Sequence, residues 1–580
     1  MRPRLFGALR PPLFGALRPR QLFVPAYALA LTTAVAAPLL SPGYLLLRDA
    51  VSTPRSYLSD AALGLTDTAP RALPQDFVVA VASYVLDGGF VVKALLILGL
   101  WLAGWGAARL AALVVPEGGL SGEFVAATLA IWNPYVAERL LQGHWSLLVG
   151  YGCLPWVAAA LIRLRSGEGS TWAPVFWIAL AGLTPTGLLM AASVALVTVL
   201  VPGFGRSRKI CAAVSLSTAF LAALPWLVAS AVSGSLASTQ STGVHAFAAR
   251  AEPGIGTIGS LAGLGGIWNG QAVPSSRTTL FAVIATVVLI AIVAVGLPTV
   301  WRRPAALPLL ALAAVAVVVP ALLATGPGLA ALEWTVRTLP GLGVLRDAQK
   351  WVALAMPGYA IAGAGGVVTL ARRVPRPATA AVCCLALLAV LPDLAWGVGG
   401  KVASVRYPPG WARVAATINA DPRPVAVLPV DSMRAFEWAG SAPVLDPLPR
   451  WVSADVLTTG DLTIGGTTVR GEGAHARDVQ QRLLAGADAG ELADAGVGWV
   501  VVEGSAAVPS VSALPVAYRD DDLTLYRVGG DHPAASHRAL LICAHLVWLA
   551  TLVAGALGLA LARRSGPGLG NAADHRANGD

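Results

Sequence analysis

The sequence predicts an α-helical polytopic membrane protein, with about twelve transmembrane helices and a small extracytoplasmic α/β domain. Of its 580 residues, 56% are hydrophobic and only 12% are charged, whereas soluble proteins carry about 25% charged residues. Apolar stretches of about 20 residues, the length that crosses a bilayer as a helix, recur along the chain. Between Gly397 and Arg538 they give way to short strand-like runs and a polar helical pattern, which indicate a domain outside the membrane.

The basic N-terminus, residues 1–21, predicts the orientation of the first helix. Its arginines are Arg2, Arg4, Arg10, Arg18 and Arg20. Arginine clusters beside a membrane helix stay in the cytoplasm, so the apolar run from Leu22 to Leu47 is predicted to begin inside and end outside. The alternative is a cleaved signal peptide. The length of the run disfavours it, as does the lack of a small-residue cleavage site before a soluble domain.

The remaining apolar stretches complete the transmembrane domain, residues 22–396, and add a last helix. They are predicted as helices near 92–114, 122–137, 146–162, 172–184, 186–202, 210–233, 279–299, 305–325, 351–371, 377–396 and 539–562. The basic clusters between these helices all fall on one side of the membrane, which is predicted to be the cytoplasmic side. Both termini, including the tail 563–580, are then cytoplasmic. The stretch 172–202 is too short for two full crossings and contains Thr184-Pro185, so it is predicted to be a hairpin of two short helices.

The outer face then carries the longer loops and the domain 397–538. The loops are predicted at 48–78, 138–145, 234–278 and 326–350. In the domain, strands are predicted at Val425–Val430, Trp499–Val502 and Leu523–Tyr526, with a helix at Ala474–Leu484. The cytoplasmic loops are too short for a nucleotide site and contain no P-loop motif, which disfavours ATP-driven transport.

Charge and cysteine content exclude other classes of function. The net charge is +10, but the basic residues lie in short clusters between apolar runs, so the predicted partner is the lipid bilayer and not a nucleic acid. The five cysteines lie within or beside apolar stretches and do not form a disulfide framework. The seven histidines are scattered without metal-ligand spacing, and no metal site is predicted.

The first candidate for chemistry is the outer end of the first apolar run, at Arg48-Asp49. A carboxylate at the outer membrane boundary can act as a general base or bind a cation beside a lipid phosphate. The alternative is a solvated loop acid.

The second candidate is the short outer loop that ends in Glu138, Arg139, Gln142, His144 and Trp145. Interfacial anchoring would explain the aromatic residues of this stretch. It does not explain an acid, a base, an amide and an imidazole together. An arginine suits a phosphate, and a carboxylate suits proton removal from a hydroxyl.

The third candidate is Arg346, Asp347 and Lys350, before a later helix on the same face. The two cations could hold a lipid-linked phosphate, with Asp347 orienting one of them. An interfacial salt-bridge anchor is the alternative. A glycine-rich stretch, Gly263–Gly270, is a weaker candidate for an ordered loop near the same surface.

The order of these features resembles the GT-C superfamily of polyprenyl-phosphate-sugar glycosyltransferases. The shared features are an acid directly after the first helix, a second acid in a short outer loop, about a dozen helices and a trailing outer domain. More narrowly, NPYVAERLLQGHW, GLGGIWN and LRDAQKW are similar to the membrane part of AftD-type arabinofuranosyltransferases of actinobacterial cell envelopes. The resemblance covers most of 22–371, and the segment 397–538 resembles the small α/β tail of several GT-C families.

The resemblance implies a multi-pass enzyme of the inner (plasma) membrane that transfers a sugar on the outer face. The sugar, arabinofuranose or mannose, would pass from a polyprenyl-phosphate-linked donor to an envelope glycan or glycolipid acceptor. The catalytic acids would be Asp49 and Glu138. The residues that would bind substrate are Arg48, Arg139, Gln142, His144, Trp145, Arg346, Asp347 and Lys350. A divalent cation stays open as a cofactor, because some GT-C members use one.

The residue types fit this chemistry without the family. Glycosyl transfer from a phosphate needs a base for the acceptor hydroxyl and positive charge for the departing phosphate. Two alternatives stay open. A transporter of lipid-linked sugars should carry ionisable residues near the middle of its helices, whereas Lys93, Arg109, Asp393 and His545 lie near helix ends. A non-catalytic scaffold in envelope assembly would use the outer domain as its working part.

Overall fold

The structure, a computed structural model, describes residues 22–66, 71–233, 243–339, 341–464, 467–504, 508–531 and 536–564. The predicted basic N-terminus and most of the predicted cytoplasmic tail lie outside the described residues, as do parts of the predicted loops 48–78 and 234–278.

The membrane part is a bundle of apolar helices joined by shorter ones. Its helices are α1 (Phe23–Ala36), α2 (Asp60–Leu63), α3 (Gln75–Ala82), α4 (Gly88–Val114), α5 (Gly119–Ile131), α6 (Pro134–Gln142), α7 (Trp145–Ser166), α8 (Trp172–Ala181), α9 (Pro185–Thr198), α10 (Arg208–Val232), α11 (Gly256–Ala262), α12 (Phe281–Val300), α13 (Leu307–Leu323), α14 (Gly326–Thr338), α15 (Met356–Leu370), α16 (Arg376–Ala389) and α17 (Ala395–Gly399). The last is a left-handed turn.

The described residues contain seven helices long and apolar enough to cross a membrane, or up to nine if each bent pair is one span. The chain is therefore a multi-pass membrane protein, but the predicted count of about twelve helices is not confirmed. The hairpin 172–202 does consist of two short apolar helices, α8 and α9. Thr184 separates them, because its hydroxyl accepts the Gly187 N–H and begins α9 at Pro185.

Three sequence predictions about the outer ends of helices are wrong. The run from Leu22 to Leu47 is not one helix: α1 passes into a 3₁₀ turn at Ala37–Leu40, which contains Pro38, and the chain then forms a strand. The predicted helix 122–137 breaks after Ile131, since Asn133 caps a new helix at Pro134, so most of the predicted loop 138–145 is helical. The predicted loop 326–350 contains α14, bent by 94° from α13.

The described residues of the segment 397–538 contain a mixed sheet and four helices after α17. The helices are α18 (Pro409–Ala420), α19 (Leu448–Trp451), α20 (Ala474–Ala485) and α21 (Ala489–Asp494), and α22 (Arg538–Arg564) follows. The strands of the chain are β1 (Tyr44–Leu47), β2 (Ala50–Val51), β3 (Ser404–Val405), β4 (Val425–Leu428), β5 (Met433–Arg434), β6 (Val444–Leu445), β7 (Val456–Leu457), β8 (Leu462–Ile464), β9 (Thr467–Val469), β10 (Trp499–Glu503), β11 (Val516–Arg519) and β12 (Leu523–Arg527).

The main sheet has the order β11-β12-β10-β4-β7. Its central strands β4 and β10 run parallel and consist of apolar residues except for Glu503 at the end of β10, because both faces of the sheet are covered by side-chain clusters. The predicted strands at 425, 499 and 523 and the predicted helix at 474 are confirmed. We call this part, residues 404–531, the α/β module. Its place outside the membrane remains a prediction.

The α/β module packs on the first loop of the membrane part. Strand β1 pairs with β3 at the start of the module and with β2 on its other side. One residue further along the chain, Arg48 forms a parallel bridge with Val444. The turn at Arg48-Asp49 therefore lies between the module and the helices.

Candidate functional site

Asp49 lies on the C-terminal end of α6. Its backbone N–H donates to the Gln142 carbonyl at 3.2 Å, and its Oδ2 accepts from Gln142 Nε2 at 3.2 Å and faces His144 Nε2 at 2.9 Å. The side chain of Asp49 is nevertheless 42% exposed. The carboxylate is thus held in a fixed orientation and remains open to a ligand.

The hydrogen bonds of His144 define its protonation. Arg139 Nη1 lies 3.1 Å from His144 Nδ1, and because a guanidinium can only donate, Nδ1 must be the acceptor. The ring proton is therefore assigned to Nε2, which donates to Asp49. Burial lowers the pKa of His144, and the charges of Lys350 and Arg139 add to this, so the opposing effect of Asp49 is overcome. His144 is a neutral donor near pH 7.

The carboxyl group of Asp49 is ionised in this setting. Burial acts to raise its pKa, but the hydrogen bond from His144 is the largest opposing effect, and Gln142 and the charge of Lys350 add to it. The net result is a pKa below the ordinary aspartate value. Asp49 therefore presents negative charge at any pH near neutrality.

Replacing His144 by phenylalanine is expected to raise the pKa of Asp49, because burial then acts with less opposition. A reaction that needs ionised Asp49 would show its acid limb at higher pH. His144→Gln can still donate an N–H to Asp49 and is the matched control. The measurement is the pH profile of activity, and an acid limb that stays in place in His144→Phe would contradict this assignment.

Both terminal nitrogens of Arg139 are engaged within the protein. It forms a two-pronged ion pair with Asp347, Nη1 to Oδ2 at 3.0 Å and Nη2 to Oδ1 at 3.3 Å, and Nη2 also donates to Gln349 Oε1. Lys350 Nζ lies 3.6 Å from the same carboxylate. Burial acts to raise the pKa of Asp347, but the charges of Arg139 and Lys350 outweigh it and lower the pKa to about 2. Arg139 is 0% exposed, whereas the side chain of Lys350 is 25% exposed.

Glu138 holds the glycine-rich loop and has no exposed surface. Its two carboxylate oxygens accept the backbone N–H groups of Gly266 and Ile267, both at 3.1 Å, and Gln349 Nε2 donates to it at 3.0 Å. Burial raises the pKa of Glu138 well above its ordinary value, and the charge of Glu252 raises it further.

A second buried carboxylate lies against the same loop. Glu252 is paired with Arg277 through Nε at 3.2 Å and through Nη2. A Cβ atom on Gly265 would lie 2.5 Å from Glu252 Oε1, so a larger residue there would displace the carboxylate that pairs with Arg277. The loop is therefore fixed from two sides, by Glu138 and by this ion pair.

The structure brings together most of the residues that the sequence singles out. Contacts and ion pairs connect Arg48, Asp49, Glu138, Arg139, Gln142, His144, Asp347 and Lys350. Two candidates lie elsewhere. Trp145 is buried in the apolar core at the start of α7, and Arg346 donates to the Gly343 carbonyl and lies over the ring of Phe247 at 5.7 Å.

Sequence reasoning assigned no role to three residues that complete the cluster. Gln349 bridges Glu138 and Arg139. Asn269 donates to Gln142 Oε1 at 2.8 Å, and the Gln271 carbonyl accepts from Arg48 at 2.9 Å. Gln349 and Asn269 lie inside the motifs LRDAQKW and GLGGIWN. Their position in these motifs was the only indication in the sequence that they belong to the site. In the part of the chain that the structure describes, no group of three or more His, Cys, Asp or Glu side chains could hold a metal ion.

Gly143 ends α6 and allows the first loop to reach the cluster. It has φ +84°, and a Cβ atom there would lie 2.3 Å from both Ala50 N and Leu47 O. Gly143→Ala is therefore expected to destabilise the protein by roughly 1–2 kcal/mol from backbone conformation alone, and further from the contact. Gly486 also ends a helix, with φ +81° and nothing within 4 Å of a Cβ.

The matched control is Gly486→Ala, which introduces the same backbone strain without a clash. Thermal unfolding of the purified protein should show a larger loss of stability for Gly143→Ala. Equal losses would mean that the first loop does not press on the end of α6.

No family model and no curated protein matches the chain in sequence. Among solved structures, it is similar to a cryo-EM structure of a mutant of the arabinofuranosyltransferase AftD from mycobacteria, with 20% identity and a TM-score of 0.57. The match covers 89% of this chain and 42% of AftD, so the chain spans less than half the length of that protein.

A second match is the crystal structure of ArnT from Cupriavidus metallidurans in the apo state, with 13% identity and a TM-score of 0.35, covering 87% of this chain and 99% of ArnT. The likeness to AftD shows that the chain shares the fold of that structure over most of its own length, in agreement with the resemblance in its sequence.

Proposed function

We propose that this protein is a membrane glycosyltransferase of the GT-C type. It would move a sugar from a polyprenyl-phosphate donor to an envelope glycan or glycolipid at the outer face of the plasma membrane. The observation that carries the proposal is Asp49, an ionised and partly exposed carboxylate that His144 and Gln142 hold in one orientation. The apolar helices beside it suit the long lipid of the donor.

In this reaction Asp49 is the general base. It accepts the proton of the acceptor hydroxyl as that oxygen bonds to the anomeric carbon of the sugar, and the bond from that carbon to the phosphate oxygen breaks. Glu138 is the less suitable base, because it is fully buried and three donors occupy its oxygens. It serves to position the glycine-rich loop.

The departing phosphate needs positive charge. Lys350 suits this role, because its side chain is partly exposed and its charge is close enough to lower the pKa of Asp49. Arg139 has no exposed surface and is committed to Asp347, and Arg346 contacts a different part of the protein. Lys350 is therefore proposed as the leaving-group partner. Arg139 fixes the orientation of His144.

AftD is by name an arabinofuranosyltransferase, which makes polyprenyl-phosphate arabinofuranose the first donor to test and the mannose donor the second. The assay measures transfer of radiolabelled sugar from a panel of polyprenyl-phosphate sugars, using membranes that contain the wild type, Asp49→Asn or Glu117→Gln. Glu117 is an exposed acid that follows the C-terminal end of α4 and pairs with Arg303. Its variant is therefore a matched control.

The proposal predicts transfer from at least one donor by the wild type and by Glu117→Gln, with loss in Asp49→Asn at equal protein amounts. Failure of the wild type to use any donor, in the presence of envelope acceptors, would contradict the proposal and favour a transporter or a scaffold.

A further inference from the structure

The hairpin formed by β5 and β6 of the α/β module contacts the backbone of Arg48, the residue before Asp49. The Arg48 N–H donates to the Pro443 carbonyl at 2.9 Å, and the Leu445 N–H donates to the Arg48 carbonyl at 2.9 Å. Both backbone groups of Arg48 are therefore paired with one short segment of the module. This contact joins two regions that are far apart in the sequence.

Arg48 has a disfavoured backbone conformation at this contact. Its φ is +49°, in the left-handed region that a residue with a side chain disfavours. The reversal at Arg48 places the Asp49 N–H on the Gln142 carbonyl. The guanidinium of Arg48 fastens the same turn to the other walls of the cluster, because Nη1 donates to the Leu141 carbonyl at 2.6 Å and Nη2 to the Gln271 carbonyl at 2.9 Å.

The hairpin is itself anchored to the central sheet by a buried ionic cluster. Arg434 on β5 donates through Nε to Glu503 at the end of β10, and its Nη2 lies 3.5 Å from Asp446 Oδ2. Asp446 follows β6, and its Oδ1 accepts the Leu448 N–H at 2.7 Å. All three charged side chains are at least nine-tenths buried.

Two carboxylates and one guanidinium leave an excess negative charge unless a proton is retained. Burial and the adjacent Asp446 hold the pKa of Glu503 well above its ordinary value. This shift favours a proton on Glu503, and Arg434 then balances the carboxylate of Asp446. Arg434 belongs to the hairpin, and its contact with Glu503 connects the hairpin to the sheet.

We propose that Arg434 is a positioning residue for Asp49. It anchors the β5–β6 hairpin to the sheet, the hairpin holds Arg48 in its left-handed conformation, and that turn directs the Asp49 carboxylate at His144 and Gln142. The inference rests on the proposed function, since it concerns the base of that reaction. It gives the α/β module a part in arranging the candidate site.

The test uses the full chain in lipid nanodiscs. Removing Arg434 alone would leave the buried carboxylate of Asp446 unpaired and endanger folding, so the main variant is Arg434→Met combined with Asp446→Asn, with Arg434→Lys as the conservative variant. The matched control is Arg477→Met, which breaks an ion pair with Asp461 in the same module.

Two kinetic results are expected for the main variant. Because a displacement of about 1 Å can reduce a rate roughly a hundredfold, kcat should fall by about ten- to a hundredfold while KM for the donor changes little. The acid limb of the pH profile should also move to higher pH, because Asp49 loses contacts that lower its pKa. Arg434→Lys should recover part of kcat, and Arg477→Met should match the wild type. A purely structural role would lower the amount of folded protein and leave kcat per folded molecule and the pH profile unchanged.

Hydrogen exchange measured by mass spectrometry separates this inference from the proposed function. Amides of residues 45–52 should exchange faster in the main variant than in the wild type or in Arg477→Met, whether or not any sugar is transferred. Faster exchange with an inactive wild type would support the coupling and contradict the proposed function. Unchanged exchange would overturn the positioning role, as would unchanged kcat in an active enzyme.

Discussion

Asp49→Asn is expected to lower the rate of sugar transfer by a factor of roughly 10²–10⁴, the usual contribution of a positioned general base. Asparagine has the size of aspartate, and its amide oxygen can still accept the N–H of His144, so the turn at Arg48 should keep its structure. What is lost is the ability to take a proton from the acceptor. The measurement is the initial rate of transfer at equal protein amounts.

The contrast with Glu138→Gln makes this result specific. The glutamine side chain would offer one acceptor oxygen where Glu138 accepts from Gly266, Ile267 and Gln349. We expect a stability loss of roughly 1–3 kcal/mol from unsatisfied donors, with little change in the rate per folded molecule. The reverse result, an active Asp49→Asn and an inactive but folded Glu138→Gln, would mean that the two acids have each other's role.

The sequence predicted the members of the candidate site better than their roles. Glu138, Gln142 and His144 lie close together in one motif, and a helix end with a tight turn keeps them close in space. Asp49 and Glu138 are both acids at predicted outer helix ends, and nothing in their sequence neighbourhoods distinguishes them. Burial distinguishes them, and it depends on the loop at Gly266 and Ile267, which packs over Glu138 alone.

Contacts between distant positions and the exact ends of helices could not be predicted from the sequence. Arg139 and Asp347 are separated by 208 positions, and no local pattern indicates that they pair. The bridge between Arg48 and Val444 is of the same kind. Helix bounds failed where an apolar run continues past a proline, as at Pro38 and Pro134, because hydropathy does not report the loss of a backbone donor. The strands of the module were found because their apolar runs are short and bounded by turns.

The ion pair between Arg139 and Asp347 should have the largest effect on stability. Arg139→Gln would leave the Asp347 carboxylate buried with Lys350 as its remaining cation, 3.6 Å away. Breaking a buried pair on one side costs about 3–5 kcal/mol. The double variant Arg139→Gln with Asp347→Asn removes both charges and should recover much of this stability. Thermal or denaturant unfolding of the purified protein measures both effects.

The pH dependence of stability gives a second test of the same pair. The pKa of Asp347 falls from an ordinary value of 3.8 to about 2 in the folded protein. A carboxyl group with a lowered folded pKa contributes stability that is complete above its unfolded pKa and is lost as pH falls through the folded one. The wild type should therefore lose this contribution between about pH 4 and pH 2. The double variant should lack that part of the acid transition. If it kept the same acid transition, the pair would not be its source.

Activity of the double variant separates the structural role of Arg139 from its role in the site. Without the guanidinium, His144 Nδ1 loses the group that can only donate to it, so the imidazole can place its proton on either nitrogen. The Nε2–H donor to Asp49 is then present only part of the time, and the pKa of Asp49 should rise. We therefore expect transfer to stay below the wild-type rate, with an acid limb at higher pH, even where stability is recovered. A double variant with wild-type rate and pH profile would show that Arg139 acts on stability alone.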